Sequence, residues 1–173
     1  SKINLKEESS EELKREIFEA VKIDYELIEL LHKSREKKYG IQTTAEVSYS
    51  TIPNKAVLVV GSNINELEII LENLKDNKID VYTHDEMMLA HTFPFFLKYP
   101  NLKGQFGQGL ENCLIDFATF PGPIILTKNS LHNIENFYRG RLFTTDYTTN
   151  PKGIIKIENN DFSNVISSAE ESK

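Results

Sequence analysis

The residues with the most evident chemical capacity lie close together in the middle of the chain. His84, Asp85 and Glu86 are consecutive, and His91 follows five residues after Glu86. Imidazole and carboxylate groups can bind zinc or iron or transfer protons, so a mononuclear metal site of His84, Glu86 and His91 is one hypothesis. In an α-helix, however, Glu86 and His91 would lie about 140° apart. The ordinary alternative, a polar strand end followed by a helix cap, stays open.

A second candidate is Ser62, which lies between Gly61 and Asn63 at the end of an apolar run. A nucleophilic serine could stand there, but a serine in that place more often caps the next helix. The G-x-G-x-x-G fingerprint of dinucleotide-binding proteins is missing. The glycine-rich segment 104–109 loosely resembles a phosphate loop, but the sequence predicts no strand before it, which favours a flexible turn. Cys113 is the only cysteine, which excludes an internal disulfide and a four-cysteine metal site built from this chain.

Strand and helix patterns alternate through the part of the chain that contains these residues. Apolar and β-branched runs predict strands at residues 56–61, 79–83, 124–127, 141–144 and 154–157. Helical periodicity predicts helices at 65–74, 86–91, 107–120 and 161–172, the last one capped by Asp161. This alternation is typical of a three-layer, Rossmann-like α/β domain with a mainly parallel sheet. Ligands of such domains collect at the carboxyl ends of the strands, which here are residues 61–63, 84–86 and 128–130.

The N-terminal part of the chain has a different pattern. Residues 1–40 predict a long helix with one buried apolar stripe, a capping box of Ser9 and Glu12, and an end at Gly40. Residues 41–54 are polar and contain a proline, which indicates a linker. The predicted organisation is therefore an N-terminal helix (1–40), a linker (41–54) and an α/β domain (55–173).

Composition narrows the classes of function. The 173 residues carry 26 acidic and 20 basic side chains, a net charge of −6, which argues against nucleic acid as a partner. The longest apolar run is too short to span a membrane, and the first residues form no secretory signal. The expectation is a cytoplasmic protein with no membrane partner.

Four segments resemble the hybrid-cluster proteins, also called prismane proteins or hydroxylamine reductases, which share a superfamily with carbon monoxide dehydrogenases. Residues 56–63 (AVLVVGSN) resemble the family's A-I-L-V-S-G-H-D, and residues 79–91 (IDVYTHDEMMLAH) resemble I-N-V-Y-T-H-G-E-M-L-P-A-H. Residues 98–104 (KYPNLKG) resemble K-Y-P-H-L-V-G, and residues 120–130 (FPGPIILTKNS) resemble F-P-G-P-I-L-M-T-T-N-C. The resemblance covers roughly residues 35–172 and is to the middle α/β domain of that family.

The resemblance implies a cofactor and three ligand positions. Family members hold an iron–sulfur–oxygen hybrid cluster where three domains meet, and this domain contributes a histidine, a glutamate and a cysteine. The corresponding positions here are Ser62, Glu86 and Ser130, so only Glu86 keeps a family ligand. A serine hydroxyl is a poor substitute for an imidazole or a thiolate on iron. The family's remaining ligands belong to a C-terminal domain, so no cofactor is expected in this chain alone.

Two function hypotheses from different classes follow. The first is a domain of a hydroxylamine reductase-like oxidoreductase that cannot bind the hybrid cluster by itself, with Ser62, Ser130 and His84 around Glu86. Its partner would be the missing C-terminal domain of a longer parent chain, although a free-standing degenerate relative is also consistent with the sequence. The second is a non-catalytic module that binds a small ligand or a protein at the strand ends.

Overall fold

The structure is a computed structural model that describes residues 10–128, 130, 138–146, 148 and 152–172. It divides into two compact units, Ser1–Ile41 and Gln42–Lys173. The first unit is helix α1, Ser10–Tyr39. It ends at Gly40, whose φ is 89° and whose N–H donates to the Glu36 carbonyl at 2.9 Å. A glycine in the left-handed conformation is a common helix end, so this part of the prediction is confirmed.

The apolar stripe predicted on α1 exists but is not buried. Ile17, Val21, Leu27 and Leu31 are between 49% and 60% exposed, because the described part of this unit contains no second element that could cover them. The predicted cap at Ser9 lies outside the described residues. No helix in the described part of the chain is long and apolar enough to cross a lipid bilayer.

The second unit contains a six-stranded sheet in which every strand pair is parallel. The strands are β1 (Ala56–Val60), β2 (Asp80–His84), β3 (Leu102–Gln105), β4 (Ile124–Leu126), β5 (Leu142–Thr144) and β6 (Ile155–Lys156). Their order in the sheet is β3-β2-β1-β4-β5-β6. This is the strand order of Rossmann-like, doubly wound domains, and it confirms the predicted fold class. The order reverses between β1 and β4, which makes that place the topological switch point.

Helices cover both faces of the sheet. The helices are α2 (Ile64–Leu74), α3 (Cys113–Thr119) and α4 (Ser163–Glu171). On one face, Phe117 of α3 and Phe120 pack against Leu58, Val60 and Tyr82 of β1 and β2. Helix α3 connects β3 to β4, and helix α2 connects β1 to β2, which runs across the sheet in the opposite direction. Because such crossovers are right-handed, α2 lies on the other face of the sheet. The apolar side of α2 is fully buried there: Leu67, Ile70, Leu71 and Leu74.

The predictions for residues 100–120 were wrong in two respects. Residues 102–105 form β3, which the sequence did not predict because Leu-Lys-Gly-Gln has no strand pattern. The helix predicted over 107–120 is shorter: a 3-10 turn at Leu110–Asn112 leads into α3. Gly107 and Gly109 have φ values of 75° and 140°, which are incompatible with a right-handed helix. The glycine-rich segment 104–109 therefore begins within β3 and continues directly after it, contrary to the interpretation from sequence, which had no strand there.

The remaining boundaries differ from the predicted ones by at most two residues. Helix α2 begins at Ile64 and is capped by Asn63, whose Oδ1 accepts from the N–H groups of Asn65 and Glu66. Ser62 is therefore not the cap. The predicted short helix at 86–91 is a 3-10 helix, Asp85–Thr92. Before α4, Asp161 Oδ1 accepts from the N–H of Ser163 at 3.0 Å.

Candidate functional site

The three positions singled out by the resemblance lie at one edge of the sheet. Ser62, Glu86 and Ser130 follow β1, β2 and β4, which are neighbours in the sheet. The last residue of β1, Val60, is in register with His84 of β2 and Leu126 of β4, so the three strands end at the same level. Ser62 and Ser130 therefore flank the switch point, where ligands of such folds bind, and Glu86 follows the adjacent strand.

Close packing joins the turns that carry Ser62 and Ser130. Gly61 has a φ of 125°, and a Cβ on it would overlap the hydroxyls of Ser130 and Thr127. Thr127 Oγ1 donates to the Val60 carbonyl at 2.8 Å and lies 3.3 Å from Ser130 Oγ. Ser130 is only 5% exposed. The absence of a side chain at Gly61 is therefore what lets the end of β1 approach the turn after β4.

The three positions differ in accessibility. Ser62 and Glu86 are exposed, whereas Ser130 is buried. Glu86 belongs to the 3-10 helix that begins at Asp85, a residue whose φ is 62°. Asp85 stands where the family motif has glycine, and aspartate is among the few residues that tolerate the left-handed conformation. The backbone that presents Glu86 thus keeps the conformation that glycine would favour.

His84 belongs to β2 and is completely buried. Its Nε2 donates to Asp116 Oδ2 at 2.9 Å, and its ring packs edge-on against Phe117 at a centroid distance of 5.3 Å. Asp116 Oδ2 also accepts from the N–H of Gln108 at 3.2 Å. His84 Nδ1 is buried without a hydrogen bond to any described residue. The carboxylate fixes the proton on Nε2 and orients the ring toward α3.

His91 lies on the opposite side of β2. Its Nε2 is 2.9 Å from Oγ1 of Thr83, the residue before His84. Successive side chains of a strand point to opposite faces, so the partners of His91 and His84 are on different faces of the sheet. Within the described residues, no group of three or more histidine, cysteine, aspartate or glutamate side chains is arranged to hold a metal ion. The structure does not bring His84, Glu86 and His91 together.

We expect His91 to make the stability of the domain depend on pH. Burial lowers the pKa of His91 below its ordinary value of 6.5, because removing water from around the imidazole disfavours its charged form. The unfolded chain then binds the proton more readily than the folded chain does. The contribution of His91 to the free energy of unfolding is therefore fully present above pH 6.5 and is lost as the pH falls below that value. We expect His91→Gln to reduce this loss in urea unfolding curves measured between about pH 7 and pH 5. The exposed His32→Gln is the control, and equal pH dependence in both variants would contradict the assignment.

Two residues of this edge were missed in the sequence, Asn63 and Glu66. They form the N-x-x-E pattern of a capping box, so a signal was present. Asn63 Nδ2 donates to Glu66 Oε1 at 2.9 Å, and the N–H of Lys128 donates to Glu66 Oε2 at 3.0 Å. Asp116, the hydrogen-bond partner of His84, is 32 residues away, and no motif or spacing in the sequence indicated this contact.

Comparison with known proteins identifies the family. The sequence model of the Prismane/CO dehydrogenase family matches residues 2–173. The chain belongs to this family. It is 36% identical over 159 residues to a hydroxylamine reductase of Acidithiobacillus ferridurans, covering 92% of this chain and 28% of the relative. It is also 38% identical to the hydroxylamine reductase of Zymomonas mobilis (86% of this chain, 27% of the relative) and 33% identical to that of Methanocella arvoryzae (85% and 27%). The chain thus spans little more than a quarter of the length of these prismane-family relatives.

The donor set at the sheet edge differs from the one that iron–sulfur centres use. The three positions that the resemblance aligns with family ligands carry two hydroxyls and one carboxylate. Iron in such clusters takes thiolate and imidazole donors, and the Ser130 hydroxyl is buried beside that of Thr127. The hydroxyls of Ser62 and Ser130 are thus poor donors for such a cluster, whereas Glu86 provides a carboxylate.

Proposed function

We propose that this chain is the α/β part of a hydroxylamine reductase-like oxidoreductase and that it forms one wall of a redox site without holding the hybrid cluster itself. The observation that carries the proposal is the placement of Ser62, Glu86 and Ser130 around the switch point of the sheet. The three residues follow neighbouring strands at one edge of the sheet, and two of the three side chains are hydroxyls.

The rest of a longer polypeptide is the proposed partner of this edge. The curated relatives are named hydroxylamine reductases, and the chain covers only 27–28% of their length. In the longer protein, Glu86 would be the one residue of this domain in contact with iron. These relatives carry the name of an enzyme, which favours the oxidoreductase hypothesis over a non-catalytic binding module.

The proposal is tested by anaerobic reconstitution of the purified chain with ferrous iron and sulfide. We expect no stoichiometric iron after desalting and no hydroxylamine reduction with reduced methyl viologen as the electron donor, because hydroxyls do not replace thiolate and imidazole. A chain that retains a stable cluster would overturn the statement about the cofactor.

The domain assignment needs a separate measurement. An antibody against this domain should detect a polypeptide clearly heavier than the 173-residue chain in the source cells. Detection only at the mass of the chain itself would contradict the proposal that a longer oxidoreductase contains it.

A further inference from the structure

Glu66 connects three strand ends at the switch point. Its Oε1 accepts from Asn63 Nδ2, which follows β1, and its Oε2 accepts from the N–H of Lys128, which follows β4. The hydroxyl of Thr145, which follows β5, donates to the same Oε2. We propose that Glu66 is a positioning residue that holds the turn bearing Ser130 against the turn bearing Ser62. The inference rests on the proposed function, because it concerns the same edge.

The carboxylate is suited to this role by its acceptor capacity. Among the described residues, the three groups that hydrogen-bond to it are donors: an amide NH₂, a backbone N–H and a hydroxyl. An ionised carboxylate accepts at both oxygens, whereas the amide of a glutamine would turn its own NH₂ toward at least one of these donors. The position in the first turn of α2 adds a favourable interaction with the positive end of the helix dipole. The same carboxylate occupies the helix end at which a Rossmann-like domain would bind a phosphate.

The contacts lead directly to the candidate site. Lys128, whose N–H is held by Glu66, follows Thr127, and Thr127 bonds to the end of β1. The N–H of Ser130 donates to the Thr127 carbonyl at 3.0 Å. Releasing Lys128 would therefore free one side of the turn that fixes Ser130, while the sheet itself would keep its hydrogen bonds. A variant could thus displace Ser130 while the domain remains folded.

The experiment introduces metal ligands at the two serine positions, so that Co²⁺ binding reports whether the two turns are held in place. Ser62 is exposed and has room for an imidazole, whereas Ser130 is buried and accepts only a donor of similar size, a thiol. With Glu86, the double variant Ser62→His/Ser130→Cys presents one imidazole, one thiolate and one carboxylate. These are ligands that tetrahedral Co²⁺ and Zn²⁺ sites use. Co²⁺ affinity is measured by titration calorimetry and by the thiolate-to-cobalt absorption band.

Glu66→Gln is then added to the double variant. We expect Co²⁺ to bind the double variant and Glu66→Gln to weaken this binding at least ~10-fold, as loss of an orienting contact does in natural metal sites. The matched control is Glu72→Gln. Glu72 is also on α2, but it accepts from Tyr99 and Lys75 rather than from a strand-end turn. We expect Glu72→Gln to leave the Co²⁺ affinity unchanged.

The outcomes separate this inference from the proposed function. If the double variant binds no Co²⁺, the three positions do not converge, which overturns the proposed site and the inference with it. If it binds and Glu66→Gln has no effect on affinity, only the role of Glu66 is overturned. Should Glu66→Gln prevent folding, Thr145→Val removes one donor to Glu66 and leaves the Asn63 cap in place. We expect this variant to weaken Co²⁺ binding as well, and an unchanged affinity would overturn the inference.

Discussion

Replacing Gly61 by alanine should lower the free energy of unfolding by about 4 kcal/mol, from backbone strain and overpacking together. The φ of 125° at Gly61 is a conformation that residues with a side chain rarely adopt. The new Cβ would also overlap the hydroxyls of Thr127 and Ser130, which are packed against β1. Chemical denaturation followed by far-ultraviolet circular dichroism measures the loss.

Gly140 provides the control for this prediction. Its φ is 88°, but a Cβ built on it would have no atom of a described residue within 4 Å. Gly140→Ala should therefore cost only the conformational strain, about 1 kcal/mol. Adding Ser130→Gly to Gly61→Ala should recover part of the stability, because it removes one of the two overlapping hydroxyls. If Gly61→Ala and Gly140→Ala were equally destabilising, the turns at the switch point would not be in contact.

The sequence predicted the central strands because their apolar runs reflect their environment. β1 is buried on both faces, and its sequence Ala-Val-Leu-Val-Val has no polar residue. β3 has no comparable pattern, since its strand conformation depends on its neighbours. It pairs with β2, and the N–H of Gln105 donates to the Ser48 carbonyl at 2.9 Å. Gly104 permits this approach, because a Cβ there would collide with the Ser48 carbonyl oxygen.

The candidate site was predictable to the level of the sheet edge and no further. Alternation of strands and helices placed the residues after β1, β2 and β4 at one edge, where the structure has them. His84 and His91 are held apart by different partners. Asp116, the partner of His84, is 32 residues away in the sequence, and Thr83, the partner of His91, is a residue type that does not by itself indicate such a contact. Side-chain contacts of this kind leave no periodic pattern, so the residue types at 84, 86 and 91 left open a metal-site hypothesis that the structure does not assemble.

The second large effect is expected at Arg141, which joins α3 to the start of β5. Its Nη2 donates to the Phe117 carbonyl at 2.7 Å, and its Nη1 donates to the carbonyls of Phe120 at 2.5 Å and Gly122 at 2.7 Å. Burial lowers the pKa of the guanidinium, yet arginine stays charged because its ordinary pKa is so high. Arg141→Met should lower the free energy of unfolding by about 3 kcal/mol, since three carbonyls lose a charged donor.

Two further variants, Arg141→Lys and Arg139→Met, distinguish the hydrogen bonds of Arg141 from a general effect of positive charge. Arg141→Lys keeps the charge but presents one ammonium instead of a planar fork, so a single nitrogen would have to replace the two that serve the three carbonyls. We expect it to restore less than half of the stability lost in Arg141→Met. Arg139 is exposed and two residues away, so Arg139→Met should change stability by no more than ~0.5 kcal/mol. Full restoration by lysine would show that charge near the end of α3, rather than the three hydrogen bonds, provides the stabilisation.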